Sequence, residues 1–190
     1  MRTCIYHRDP DGQCSAAIAA LTWPIDHFVG LQYGEKIPWG LIEENDVVLL
    51  DFSFQPWAEM KRLFASAKSV LWIDHHATAI AESLEHIAQI GVNTTPLARG
   101  VWFVDHNVEA VLRDGEAACE ITWKHLLGAR PMPELVRHIG RYDVWDRSDP
   151  TTDLVRHGLQ VRDLHPQCSW WVDALDTRAR ISETSSQMGE

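Results

Sequence analysis

The stretch Leu71-Trp72-Ile73-Asp74-His75-His76 decides the fold. An apolar run that stops abruptly at an acid and two imidazoles reads as a buried strand. It delivers Asp74, His75 and His76 to the edge of a sheet, where α/β proteins bind their ligands. Two other stretches have the same form: Val47-Val48-Leu49-Leu50 halts at Asp51, and Thr3-Cys4-Ile5-Tyr6 halts at His7-Arg8-Asp9-Pro10-Asp11-Gly12. A single Asp after a strand is most simply a turn residue or a helix cap. Three strands that all end in ligand-type side chains point instead to a shared site.

Working outward, Gly12-Gln13-Cys14 leads from the first strand into a small-residue helix over Ser15–Leu21, which Trp23-Pro24 ends. His27–Leu31 is a second strand, followed by a Gly- and Pro-rich loop over 34–40. After the third strand, Gln55-Pro56 opens a helix through about Ala67, with Trp57, Met60, Leu63 and Phe64 at helical spacing. The fourth strand is Ser69–Ile73. This alternation predicts right-handed βαβ crossovers and an α/β fold: an open, mainly parallel β-sheet, Rossmann-like, with helices on both faces.

The later part of the chain is less regular. Residues 77–92 fit helix or strand, 94–100 read as loop, and Val101–Val104 is a strand of unassigned partner. A helix is expected from Gly115 to about Leu127, and another from about Met132 to Ile139 with a break at Gly140. Leu154–Leu164 is mixed, Trp170–Ala179 reads as a terminal helix, and the polar tail 182–190 is expected to be disordered. One main unit over 1–150 therefore carries the chemistry, and 151–181 is an extension packed on it or the remnant of a linker.

Composition narrows the function. The 190 residues hold 17 basic and 27 acidic side chains, a net charge of −10, which argues against binding long duplex nucleic acid and for small anions or metal ions. The four cysteines, at 4, 14, 119 and 168, form no CxxC pair, and no signal-like stretch precedes them. No apolar run approaches the ~20 residues that cross a bilayer. A reduced, cytoplasmic chain that binds no membrane is the expectation; the oligomeric state is not legible. The nine tryptophans are explained by packing in the core and at its rim.

In an extended segment alternate side chains share a side, so His7, Asp9 and Asp11 can converge, with Pro10 holding Asp9 extended. Gly12 then permits a sharp entry into a helix whose N-terminus favours phosphate. His7, Asp9, Asp11, Asp51, Asp74, His75, His76 and Asp143 at one rim would bring five carboxylates together. Like charges that close raise one another's pKa and destabilise the fold unless cations intervene. Carboxylates and imidazoles without thiolates suit Mn²⁺, with Mg²⁺ or Co²⁺ as substitutes, better than structural zinc. The ligand count suits two ions bridged by a carboxylate, an arrangement that activates water without any protein nucleophile.

His7-x-Asp9-x-Asp11-Gly12, Asp51 after its apolar strand, Asp74-His75-His76, and Asp143 within Ile139-Gly140-Arg141-Tyr142-Asp143-Val144-Trp145 resemble the four ordered motifs of the DHH phosphoesterase superfamily. The resemblance spans about residues 1–149. Glu116–Trp123 and Tyr142-Asp143-x-Trp145 are most similar to its RecJ-like and NrnB-like oligoribonuclease branch. It implies that His7 and Asp11 hold one Mn²⁺, that Asp9, His75 and Asp143 hold the other, and that Asp51 bridges them. It also implies that Asp74 orients a histidine and that His76 meets the substrate phosphate as a hydrogen-bond or proton donor. Some relatives carry a carboxylate where Gln13 stands, so Asp9 is expected to serve instead. Family members commonly carry a second domain with a glycine-rich motif (DHHA1); this sequence has no Gly-Gly pair, and only about 40 residues follow Asp149, few for a domain.

The expected activity is hydrolysis of a phosphodiester in a short oligonucleotide or a cyclic mono- or dinucleotide. The same metal pair would serve a phosphomonoesterase or pyrophosphatase, and a nucleotide-binding scaffold without turnover is the reading from a different class. Arg141, beside Asp143, is the arginine best placed for substrate phosphate, ahead of Arg99 and Arg147. Trp39, Trp102 and Trp145 are the candidates for stacking on a base, with core packing the simpler role.

Overall fold

The computed structural model describes residues 1–90, 94–97, 99–128, 130–161 and 164–176. The expected disordered tail and residues 177–179 of the expected terminal helix lie outside these residues; the helix itself ends earlier, at Leu175. Seven strands, β1 (Arg2–His7), β2 (His27–Leu31), β3 (Asp46–Leu50), β4 (Ser69–Asp74), β5 (Thr94–Leu97), β6 (Gly100–Asp105) and β7 (Val108–Arg113), form one sheet in the order β2-β1-β3-β4-β7-β6-β5. The pairs from β2 to β7 are parallel, and β7-β6-β5 is an antiparallel meander. The fold is thus open α/β with a mixed, mainly parallel sheet flanked by helices.

The helices are α1 (Pro10–Thr22), α2 (Trp57–Ser66), α3 (Ala77–Ile90), α4 (Ala118–Leu127), α5 (Glu134–Asp143), α6 (Thr151–Gln160) and α7 (Ser169–Leu175). Alternation along the parallel strands separates the two layers. Ile5, Leu49 and Trp72 pack with Met60 and Leu63 of α2 and Ile80 and Ile87 of α3. Cys4, Tyr6, Val48, Leu50 and Ile73 face the other way, onto Ala16 and Ala19 of α1 and Ile121 of α4. A further apolar cluster joins Cys14 and Ile18 of α1 to Trp123, Val136, Ile139, Leu159 and Trp171, so α4 to α7 assemble around α1. No helix among the described residues is long and apolar enough to cross a membrane.

Several expectations need correction. Residues 77–90 are helical, and 94–97 form an edge strand rather than a loop; Pro96 is tolerated there because an edge strand can leave a donor unmade. β7 is an additional strand, and it supplies the partner for β6. Gly140 does not break α5, which continues to Asp143: a Cβ at Gly140 would lie 2.7 Å from Glu120 Cδ, so the glycine serves the close approach of α4 and α5. Nor is the chain extended as far as Asp11. Asp9 is the N-cap of α1, accepting from the Gly12 amide at 2.9 Å, and Asp11 lies in the first helical turn.

The chain passes from β1 through α1 to β2 on one side, then returns to β3 on the other. Between β1 and β3 lies the topological switch, the place where open α/β sheets leave a crevice beyond the strand ends. His7 ends β1, Asp51 follows β3, and Asp74 ends β4.

Candidate metal centre

Asp51 sits at φ +56, in the left-handed region that Asp tolerates better than most residues. It is 1% exposed, and neither carboxylate oxygen has a hydrogen-bond partner. His75 Nε2 lies 3.2 Å from Asp51 Oδ1, 3.1 Å from Asp143 Oδ2 and 3.7 Å from Asp11 Oδ2. On the other side, His7 Nδ1 lies 2.8 Å from Asp9 Oδ2 and 3.7 Å from Asp51 Oδ2. Two ligand-type groups result: His7, Asp9 and Asp51, and Asp11, His75 and Asp143; Asp51 also gathers with His75 and His76.

All six residues expected as ligands therefore meet at one rim, but in a different partition. The resemblance pairs His7 with Asp11 and places Asp9 with His75 and Asp143; in the structure Asp9 stands with His7, and Asp11 with His75 and Asp143. The cause is the early start of α1, whose first turn carries Asp11 away from His7 and towards α4 and α5. There Asp11 accepts hydrogen bonds from the Ala118 amide at 2.9 Å and the Cys119 amide at 2.8 Å, capping α4 across 107 and 108 residues of sequence.

Asp74 is fully buried. Its Oδ1 accepts from the His75 amide at 2.7 Å and the His76 amide at 3.2 Å, and lies 2.7 Å from His76 Nδ1. The acid thus acts as a turn residue and also orients an imidazole. Its Oδ2 is buried without a partner. Arg141 turns elsewhere: its Nη1 donates to Asp149 Oδ2 at 2.8 Å, and its Nε lies 3.8 Å from Asp146.

The electrostatics express the crowding. Burial pushes Asp51 well above the usual carboxylate range, and burial together with Asp51 and Asp143 does the same to Asp11. Burial also raises Asp143, partly offset by His75. Burial alone would lower His7, yet its contacts with Asp51 and Asp9 push it up to about 10. Asp74 raises His76. Asp9 is held low by His7 and the Gly12 amide against the opposing effect of burial. Carboxylates this crowded favour any positive charge that compensates them, a bound proton among others.

A divalent cation would provide the same compensation. The unpartnered oxygens of Asp51, the all-carboxylate and imidazole donor set, and the convergence of one His75 nitrogen on three acids fit such an ion.

Two further residues, neither expected from the sequence, approach the centre. Gln32 Oε1 lies 3.1 Å from His7 Nε2, and the Tyr33 ring lies 5.7 Å from that of His7 and 4.6 Å from that of Phe52. Gln32 and Tyr33 follow β2, so the strand-end logic that found Asp51 applies equally to them.

Comparison with known proteins places the fold in context. No family model matches the chain. No curated protein matches it either. Among solved structures, an uncharacterized protein from Helicobacter pylori G27 is similar, with a TM-score of 0.57 and 15% identity over 89% of this chain and 49% of that one. At that identity the likeness is one of fold. This chain spans about half the length of that protein.

Proposed function

We propose that the protein is a DHH-type, divalent-metal-dependent phosphoesterase that hydrolyses a phosphodiester in short oligonucleotides or cyclic nucleotides. The observation that supports this most is the position of His75 Nε2 within 3.1–3.7 Å of acids from three separate elements, beside an Asp51 carboxylate that is buried without a hydrogen bond. His7, Asp9 and Asp51 would hold one cation, and Asp11, His75 and Asp143 the other, with Asp51 between them. When bound, Mn²⁺ ions there neutralise charge on a phosphoryl group and make a water more acidic.

The chain's own groups account for the rest. Asp74 fixes the His76 ring through Nδ1 and raises its pKa, which favours donation from the opposite ring edge to a phosphoryl oxygen or to the departing oxygen. The Asp11 cap locks the N-terminus of α4 to the first turn of α1, which fixes this carboxylate against His75.

The test is a panel of pyrophosphate, a nucleoside monophosphate, cyclic mono- and dinucleotides and dinucleotides with Mn²⁺. Hydrolysis of a dinucleotide or cyclic nucleotide, abolished in Asp51→Asn and His75→Ala, is the expected outcome. Hydrolysis unchanged in both variants would refute the proposal.

A further inference from the structure

A cavity of about 220 Å³ lies between α1, α5 and α6 and opens beside the cluster. Asp11 and Asp143 of the cluster line it together with Tyr142 and Arg156, and Leu159 is among its apolar lining residues. It falls below the ~300–1,000 Å³ of pockets that enclose a whole drug-sized ligand. Its size suits one fragment of a larger substrate.

Arg156 is the unusual wall residue. Its guanidinium lies 4.8 Å from the centre of the Tyr142 ring, and its buried Nε has no hydrogen-bond partner. Neighbouring arginines differ: Arg141 is engaged by Asp149, and Arg147 lies 3.3 Å from Asp153. Among the described residues no carboxylate pairs with Arg156. A ring face can fix a guanidinium without consuming its N–H donors, which leaves them to a planar or tetrahedral anion.

Trp145 provides the second, independent observation. It is 79% exposed and adopts φ +62 immediately beyond α5, a position that usually belongs to glycine. Holding a bulky residue in that region strains the backbone. An indole that is both strained and solvent-facing, two residues from Asp143, gains little burial in return. Arg147 lies 5.1 Å from its ring and 4.1 Å from that of Tyr142, a lining residue, so cations and aromatic faces alternate from the cavity outward along the end of α5. Flat apolar surfaces interleaved with guanidinium groups suit the alternating bases and phosphates of single-stranded nucleic acid.

We infer that this edge is a nucleotide subsite: Arg156 takes a phosphate adjoining the one at the metal centre, and Trp145 stacks on a base. The inference rests on the phosphoesterase reading and narrows its substrate to nucleotide chains over pyrophosphate. The lining acids Asp11 and Asp143 disfavour an anion unless cations cover them, whereas Arg156 attracts one by itself.

The test is calorimetric titration of the full chain with adenosine 5′-monophosphate and with adenosine, in Ca²⁺ buffer that keeps the acids compensated. Arg156→Gln should weaken the nucleotide by tenfold or more and leave adenosine nearly unaffected. Trp145→Gly should weaken both while raising the thermal midpoint, since glycine relieves the backbone strain; a merely structural tryptophan would give no such opposite movement. Equal affinities in the wild type and both variants, or no binding to the wild type, would overturn the subsite. Failure of the wild type to hydrolyse any diester with Mn²⁺ would remove the phosphoesterase reading without altering these affinities.

Discussion

His75 Nε2 lies 3.2 Å from Asp51 Oδ1, yet neither oxygen of Asp51 takes part in a hydrogen bond. A buried carboxylate in that condition destabilises the metal-free protein and is relieved by a cation. Asn tolerates the left-handed backbone at this position as well as Asp does. Asp51→Asn should therefore raise the metal-free thermal midpoint and lose hydrolysis. Mn²⁺ at a hundredfold excess over its dissociation constant should stabilise the wild type by about 2.7 kcal/mol per site, and the variant much less. Thermal scans with and without Mn²⁺ provide the comparison; a variant less stable than the wild type without metal would contradict it.

Asp11 has a structural duty besides ligation, because both its oxygens accept amides of α4. Asp11→Ala should cost about 0.5–2 kcal/mol through the lost cap alone. Asp11→Ser should recover part of that stability without recovering hydrolysis. Urea unfolding of the two variants in chelator checks this, and equal stabilities would argue against the cap.

The pH dependence of the metal-free protein follows from the direction of the shifts. Asp11, Asp51 and Asp143 are raised, so the folded state binds protons that the unfolded chain has already released. Their contribution is present below about pH 4, the ordinary carboxylate value, and is lost as pH rises. His7 acts in the same sense: its contribution is complete below its unfolded value and is lost as pH rises through about 10. Asp9 is lowered and acts oppositely, losing its contribution only at acid pH. The metal-free thermal midpoint should fall between about pH 5 and 9. Mn²⁺ competes with the same protons, so its stabilisation and the activity should decline below about pH 6. A metal-free midpoint that climbs across this range would contradict the assignment.

Gly12 holds the motif together at close range. A Cβ there would lie 2.1 Å from the His7 carbonyl oxygen, a backbone atom that cannot swing away. Gly12→Ala should cost about 1–3 kcal/mol by overpacking and should shift His7 against Asp11. Chemical denaturation and Mn²⁺ affinity would register the two effects together.

Much of this arrangement is legible because β1, β3 and β4 are buried on both faces and so read as unbroken apolar runs that end where the chemistry begins. What escaped depends on partners remote in sequence. The start of α4 at Ala118 rather than Gly115 accompanies a cap from Asp11, more than a hundred residues earlier. Gly140 reads as a breaker until Glu120 is found against it. β7 alternates Val108, Ala110 and Leu112 inward against Glu109, Val111 and Arg113, a period-two signal that was present in the sequence, whereas its parallel pairing with β4 was not. Spacing alone placed Asp9 and Asp11 on one extended side; the N-cap at Asp9 turns the chain helical between them and divides them between the two ligand groups.

The most direct test of the central claim is anomalous diffraction at the manganese edge from Mn²⁺-soaked crystals. Two peaks flanking Asp51 are expected, one among His7, Asp9 and Asp51 and the other among Asp11, His75 and Asp143. Crystals that bind Mn²⁺ elsewhere, with no anomalous density between these side chains, would contradict it.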